Sequence, residues 1–155
     1  MSALLRPAKP EDAPDIVRVL RKSRLRFMPY APPAHTEAED LNWVSHSLIP
    51  SGGVTIASVE GCVVGVLAIS RSDGASWIDQ MYIAPEYCGQ GIGTQLLRAT
   101  LDSLQMPVRL YAFQENERAR RFYERLGFRP VAYGDGSKNE EGCPDVLYEL
   151  VADAA

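Results

Sequence analysis

Apolar and polar residues alternate along the chain in patterns that predict short strands and amphipathic helices. Residues 3–6 suggest a strand, and residues 10–25 suggest a helix whose inward positions are Ile16, Val17 and Leu20. The stretch F-M-P-Y-A-P-P-A-H that follows cannot form a regular helix, because its prolines lack N–H donors. Thr36 and Glu39 then form a capping box, T-x-x-E, which predicts the start of a second helix.

The middle of the chain combines strand signals with turn signals. The runs Val54–Val59 and Cys62–Ser70 are rich in β-branched and apolar residues, and Glu60-Gly61 between them is typical of a hairpin turn. The segment R-S-D-G makes a second turn into a strand over residues 76–84. These signals predict three consecutive strands.

The second half predicts two helices and three strands. A glycine-rich segment opens a helix that we expect to reach about Gln105, and a second helix follows Asn116. The three strands are expected over residues 108–113, 128–133 and 146–151. The order β-αα-βββ-α-β-α-ββ predicts a mixed α/β sheet with helices on both faces. At 155 residues with 46% hydrophobic content, we expect a single domain over residues 1–155.

The glycine-rich segment, Y-C-G-Q-G-I-G-T-Q-L-L, indicates a phosphate cradle. Gly89, Gly91 and Gly93 remove Cβ atoms where backbone N–H groups can approach an anion, and the next helix directs its positive dipole end there. A Walker A loop would need a lysine after the glycines, and a dinucleotide fingerprint would need a glycine where Leu96 stands. A nucleotide is therefore disfavoured, and a simple turn or helix entry is the alternative to a cradle.

A second segment, N-E-R-A-R-R-F-Y-E-R-L-G-F, predicts a helix with Asn116 as N-cap and Gly127 as its stop. Its apolar positions fall on one stripe, formed by Ala119, Phe122, Tyr123 and Leu126.

Together the two segments resemble the GNAT N-acetyltransferase superfamily. The acetyl-CoA loop of that family, [RQ]-x-x-G-x-[GA], falls on Cys88, Gly91 and Gly93, and its N-x-x-A-x-x-F-Y-x-x-x-G-F helix falls on the second segment. The opening L-R-P-A-K-P-E-D-A-P-D-I is similar to the first strand and helix of the family. The resemblance implies the GNAT fold, with a mostly antiparallel sheet.

The resemblance also implies an activity. The family transfers the acetyl group of acetyl-CoA, without a metal, to a primary amine of a small molecule or protein by direct attack. The positions that match cofactor contacts of the family are Met81, Tyr82, Ile83, Cys88, Gly89, Gln90, Gly91, Ile92, Gly93, Thr94, Asn116 and Phe122. The first three would act through their backbone, and Asn116 has capping its helix as an alternative role.

Two residues are candidates for proton transfer. The resemblance places the general-acid tyrosine of the family at Tyr123, whose phenol, with an ordinary pKa of about 10, can protonate a leaving thiolate; a core aromatic is the alternative. Asp79 is the candidate base, because some family members have a carboxylate on this strand, and burial there would raise its pKa. Alternatively, Asp79 faces solvent or pairs with an arginine, and a water chain takes the proton.

Cys88 departs from the family pattern, which has arginine or glutamine at this position. A neutral thiol lacks their charge and strong donors, which would cost ~1–3 kcal/mol of binding if an ionic hydrogen bond is missing. A thiol beside helix N–H groups can also be acidic and oxidisable, which we treat as a hypothesis.

The acceptor amine stays open. In the family, the first two helices and the last two strands shape the acceptor pocket, which here means residues 27–43 and 133–146. Acidic residues in both segments would attract a cationic amine, although loops are often acidic merely because they are solvated. Dimers are common in the family, so a homodimer is possible.

The composition limits which kinds of ligand and partner we expect for this chain. A net charge of −4 and a pI near 5.2 argue against a nucleic-acid-binding surface. Three cysteines without a C-x-x-C pair, and two histidines, make a zinc site improbable. No run approaches the length of a membrane span, so we expect a cytoplasmic protein. The alternatives to an enzyme are a non-catalytic acyl-CoA sensor or interaction module and, less favoured, a nucleotide-binding domain.

Overall fold

A computed structural model describes residues 2–152 of the chain. Its strands are β1 Leu4–Pro7, β2 Val54–Val59, β3 Cys62–Ser72, β4 Ala75–Ile83, β5 Val108–Phe113, β6 Arg129–Gly134 and β7 Asp145–Leu150. Its α-helices are α1 Ala13–Phe27, α2 Glu37–Trp43, α3 Ile92–Leu101 and α4 Glu117–Arg125. A π-helical turn, Val44–Leu48, continues α2, and three short 3₁₀ turns lie at Pro10–Asp12, Ile49–Ser51 and Pro85–Tyr87.

The strands form one sheet in the order β1-β2-β3-β4-β5-β7-β6. Every neighbouring pair is antiparallel except β4 and β5, which are parallel. The predicted mixed and mostly antiparallel sheet is confirmed.

A hydrophobic core lies on each face of the sheet, because successive strand residues point to opposite sides. On β3, Val66 faces the core beneath α1, whereas its neighbour Leu67 faces the core beneath α3 and α4. The first core includes Ile16, Val17 and Leu20 of α1, as their spacing predicted. The prediction of helices on both faces is therefore confirmed.

Two local predictions about turns and caps are confirmed. The backbone N–H of Thr36 donates to the Glu39 carboxylate at 2.9 Å, and the N–H of Glu39 donates to the Thr36 hydroxyl at 3.2 Å. Glu60 and Gly61 both have positive φ, 51° and 80°, as a tight hairpin turn requires.

The helix that we expected to reach Gln105 ends at Leu101, so that boundary was wrong. The chain instead forms tight turns at Ser103 and Leu104, whose N–H groups donate to Thr100 and Leu101. Ser76 of β4 then fixes the next residues, because its hydroxyl donates to the Gln105 carbonyl at 2.8 Å. The helix thus ends in local turns, and a hydrogen bond to β4 holds the segment that follows.

Candidate active site

A cleft opens where β4 and β5 separate. Only two residue pairs join these strands, Ser76 with Val108 and Trp77 with Arg109. Beyond Trp77, β4 pairs with β3 on one side only, so the other edge of residues 78–83 is open among the described residues. That edge carries backbone N–H and C=O groups that are available to an extended ligand.

A β-bulge lies beside the start of this separation. The β3–β4 register passes from Ala68 opposite Gln80 to Ile69 opposite Ile78, which leaves Asp79 as the extra residue. Bulges increase local twist and bend the strand that carries them. The bulge thus contributes to the divergence of β4 from its parallel neighbour.

The glycine loop closes one end of the cleft. Gly89 and Gly91 have φ of 79° and 83°, in the left-handed region that favours glycine, and a Cβ at either would meet no atom within 4 Å. Within residues 2–152, the backbone N–H groups from Gly89 to Thr94 have no hydrogen-bond acceptor. Free amides at the N-terminus of α3, beside open space, fit an anionic ligand.

A cavity of about 490 Å³ extends from this loop along β4 to α4. Its lining includes most of the residues that the resemblance marked for cofactor contacts, namely Met81, Tyr82, Ile83, Cys88, Gly89, Gly91, Gly93, Thr94, Asn116 and Phe122. We call it the cofactor-side cavity. Gln90 and Ile92 do not line it; Gln90 is exposed and donates to the Glu86 carbonyl, and the Ile92 side chain is buried in the core. Only their backbone groups would be available to a ligand of the loop.

Asn116 caps α4, because its side-chain oxygen accepts from the Ala119 N–H at 3.2 Å. It also lines the cofactor-side cavity, so its two proposed roles are compatible.

Tyr123 lies on the wall between this cavity and a second one. It is 8% exposed and packs against Phe122, Phe128 and Tyr148 at centroid distances of 5.3, 5.7 and 6.4 Å. Burial raises the pKa of its phenol, and the nearby Tyr82 adds to that shift. A phenol with the ordinary pKa of about 10 already keeps its proton at neutral pH, and the raised pKa makes Tyr123 a weaker acid in the absence of a ligand.

The second cavity, of about 740 Å³, lies on the other side of Tyr123 between β4, β5 and the β6–β7 loop. We call it the acceptor-side cavity. Lys138 and Arg24 are the cationic residues of its lining, and its acidic residues are Asp79, Asp135, Glu140, Glu141 and Asp145. The carboxylates outnumber the cations, so the lining is acidic.

Of the two segments expected to shape an acceptor pocket, residues 133–146 contribute most of their length to this lining, whereas residues 27–43 contribute Met28. Arg24 near the end of α1 forms an ion pair with Glu141 of the β6–β7 loop at 3.0 Å, and His35 contacts Glu140 at 3.1 Å. Residues more than a hundred positions apart thus form one wall.

Asp79 is exposed and lines the acceptor-side cavity. The burial that we considered for it is absent, because the bulge directs this residue to solvent. Because Asp79 is in contact with solvent, a proton could reach its carboxylate through water.

Cys88 is half-buried, and its thiol donates weakly to the carbonyls of Ala84 and Ile83 at 3.6 and 3.8 Å. Burial raises the pKa of this thiol, although nearby Arg118 opposes the shift. The direction of this shift is opposite to the acidic thiol that we hypothesised, because desolvation outweighs the favourable charge.

Sequence reasoning missed the arginines of the cofactor-side cavity. Arg118, Arg121 and Arg125 line it beside Phe122. Positions three, four and seven residues apart share one helix face, and this spacing was the signal that could have revealed them.

The fold and the cleft define an acetyltransferase architecture, and the comparison with known families agrees. The model of the acetyltransferase (GNAT) family matches residues 17–128, more than half of the chain. The chain belongs to this family, as the two motifs indicated.

Individual relatives cover almost the whole chain. An uncharacterized N-acetyltransferase from Archaeoglobus fulgidus is 29% identical over 148 residues, which cover 86% of this chain and 99% of the relative. Apo-form YjaB from Escherichia coli has a TM-score of 0.78 at 21% identity, covering 99% of this chain and 100% of its own. PaiA N-acetyltransferase from Thermoplasma acidophilum, solved in complex with coenzyme A, has a TM-score of 0.74 at 19% identity, covering 98% and 100%. The predicted GNAT fold is confirmed.

No helix within residues 2–152 is both long enough and apolar enough to cross a membrane.

Proposed function

We propose that this chain, as one domain over residues 1–155, transfers the acetyl group of acetyl-CoA to a primary amine. One observation carries the proposal: the cleft between β4 and β5 joins the free amides of the glycine loop to Tyr123. The coenzyme A complex of the PaiA relative supports the choice of cosubstrate.

The residues present fit acetyl-CoA. The amides of Gly89 to Thr94 would bind its pyrophosphate, and the open edge of β4 at Met81 to Ile83 would bind its pantetheine arm as an added strand. When bound, it supplies an activated thioester.

The acetyl carbon would then lie near Tyr123, between the two cavities. An amine entering from the acceptor-side cavity attacks that carbon directly, and binding both reactants in one cleft supplies much of the rate. We assign Tyr123 the donation of its phenolic proton to the sulfur as the carbon–sulfur bond breaks.

An amine that arrives as a cation loses one proton before it attacks and a second proton as the amide forms. Asp79 is exposed on the wall of the acceptor-side cavity, and we propose that it accepts the first proton through water, while the second proton replaces the one that Tyr123 gives to the sulfur. The acidic lining favours an amine that arrives as a cation, on a small molecule or on a protein.

The test is calorimetric titration of the protein with acetyl-CoA, ATP and NAD, followed by a thiol-release assay across a panel of amines. We expect binding of acetyl-CoA alone among the three ligands and thiol release with one class of amine. Binding of acetyl-CoA without release by any amine would favour a non-catalytic acyl-CoA sensor. Absence of acetyl-CoA binding would overturn the proposal.

A further inference from the structure

The glycine loop of this chain has no cationic side chain of its own. The segment from Tyr87 to Leu97 contains no lysine or arginine, and Cys88 stands where the family has arginine or glutamine. The thiol of Cys88 is turned to backbone carbonyls, and its pKa is raised by burial, so it brings no charge to the loop. A cationic contact to a phosphorylated ligand has to come from another element.

Helix α4 provides a cationic side chain near the glycine loop. Arg118, the second residue of α4, lines the cofactor-side cavity together with Cys88 and Gly89. It lies close enough to the Cys88 thiol to act on the ionisation of that group. An arginine distant in sequence thus occupies the neighbourhood of the missing one.

Stacking positions the Arg118 side chain. The central guanidinium carbon lies 4.7 Å from the centre of the Phe27 ring, at the end of α1. Such an arginine contacts the ring through its face, while the N–H groups at its rim stay available for an anion.

Arg118 is also not neutralised by a carboxylate. Across the described residues, no acidic oxygen lies within 4.0 Å of it, whereas Arg21 and Arg24 form ion pairs at 2.6 and 3.0 Å. Arg121, on the same face of α4, pairs with Glu117 at 3.7 Å. Arg118 therefore combines a defined position with an uncompensated charge, as a phosphate ligand requires.

We propose that Arg118 supplies, from α4, the cationic contact to the phosphates of acetyl-CoA that Cys88 does not make. The inference rests on the proposed function and extends it, since it assigns phosphate recognition to a helix that also carries Tyr123. It predicts that this chain distinguishes coenzyme A thioesters from phosphate-free thioesters partly through Arg118.

The test compares acetyl-CoA with S-acetylpantetheine, which has the same thioester arm without the nucleotide and its phosphates. For Arg118→Gln we expect acetyl-CoA affinity to fall about 10- to 100-fold, the range of a charged hydrogen bond, with unchanged S-acetylpantetheine affinity. The difference between wild type and variant should shrink at high salt. Arg98→Gln on the exposed side of α3 removes the same charge outside the cavity and should change neither affinity.

Two further variants separate charge from structure. Arg118→Lys keeps the charge without the planar stack and should retain affinity between those of wild type and Arg118→Gln. Cys88→Arg in the Arg118→Gln background restores the cation on the loop and should recover acetyl-CoA affinity.

The outcomes distinguish this inference from the proposed function. If wild type binds acetyl-CoA and Arg118→Gln binds it equally well, the inference is wrong and the proposed function stands. Equal losses for acetyl-CoA and S-acetylpantetheine would show a structural role of Arg118 and would also overturn it. If wild type does not bind acetyl-CoA, the proposed function itself fails.

Discussion

The two cavities that meet at Tyr123 are built from different parts of the chain. The cofactor-side cavity presents mainly backbone groups, namely the free amides of the glycine loop and the open edge of β4, together with arginines of α4. The acceptor-side cavity presents carboxylate side chains, most of them on the β6–β7 loop, which the Arg24–Glu141 ion pair joins to α1. Backbone geometry suits a ligand shared by a whole family, whereas side chains on loops can differ from one acceptor to another.

Tyr123 belongs to both cavities, and its replacement should have the largest effect. We expect Tyr123→Phe to lower turnover by about 10²- to 10⁴-fold, the usual contribution of a general acid. The dissociation constant for acetyl-CoA should change little, because the ring and its packing remain. Thiol-release kinetics and calorimetry measure the two quantities. Wild-type turnover in this variant would contradict the assigned role.

Replacing Asp79 tests proton transfer on the acceptor side without changing the cofactor side. We expect Asp79→Asn to lower turnover by about 10²-fold, at the low end for acid–base catalysis, because water can replace an exposed carboxylate in part. Its acetyl-CoA affinity should match wild type. Unchanged turnover would show that a water chain takes the amine proton without this residue.

Replacing Gly91 tests acetyl-CoA binding on the cofactor side without changing the acceptor side. Gly91→Ala forces a side chain into the left-handed region, at about 1–2 kcal/mol, and directs a Cβ into the space where the ligand would lie. We expect acetyl-CoA affinity to fall at least about tenfold, equivalent to ~1.4 kcal/mol.

Gly61→Ala is the matched control for that variant. Gly61 has φ of 80° against 83° at Gly91, and its Cβ would also meet nothing within 4 Å, but it lies in the β2–β3 hairpin. Both variants should lose similar stability in chemical denaturation. A similar loss of acetyl-CoA affinity in the two would show that strain, and not the ligand site, explains the Gly91 result.

Glu141 tests how the acceptor-side wall is assembled. Glu141→Gln leaves the half-buried Arg24 guanidinium without its carboxylate, which should cost about 1–3 kcal/mol of the free energy of unfolding. The KM for the amine should change, and acetyl-CoA affinity should not. Glu117→Gln breaks an exposed pair at 3.7 Å and should cost less than about 0.5 kcal/mol. Equal costs for both variants would show that the Arg24 pair does not stabilise this wall.

Replacing two buried tyrosine hydroxyls should change stability in different ways. The Tyr30 hydroxyl is buried and has no hydrogen-bond partner among residues 2–152, so Tyr30→Phe should leave the free energy of unfolding unchanged or raise it by up to about 1 kcal/mol. The Tyr148 hydroxyl donates to Glu124 at 2.6 Å and accepts from Arg120 at 2.9 Å, so Tyr148→Phe should lose about 1–3 kcal/mol. Chemical denaturation at neutral pH measures both, and a loss in Tyr30→Phe as large as that in Tyr148→Phe would contradict the expectation.

Tyr30 also predicts a pH dependence. Burial raises the pKa of its phenol to about 12, above the value of about 10 expected in the unfolded chain. Below pH 10 the phenol is protonated in both states and does not alter the free energy of unfolding, which then falls as the pH rises from 10 towards 12 because the unfolded chain ionises first. Tyr30→Phe should lose less stability than wild type over this interval. Parallel curves for the two proteins would show that Tyr30 is not perturbed.

Local sequence determined most of the secondary structure and the family. The capping box at Thr36, the hairpin turn at Glu60-Gly61 and the two motifs around Gly91 and Tyr123 each lie within a short segment. Their residue types set backbone conformation directly, through side-chain caps, positive φ and helical spacing. Such features are readable without knowing what packs against them.

Only the tertiary structure decided the rest. Ser76 holds the segment after α3, and Asp79 is exposed at a bulge. Burial raises the pKa of the Cys88 thiol, and the Arg24–Glu141 pair joins two parts of the acceptor-side wall. The position of Arg118 over the ring of Phe27 likewise joins α4 to α1. Hydrogen bonds, burial and ion pairs between distant segments depend on distances in space, and local residue patterns do not encode those distances.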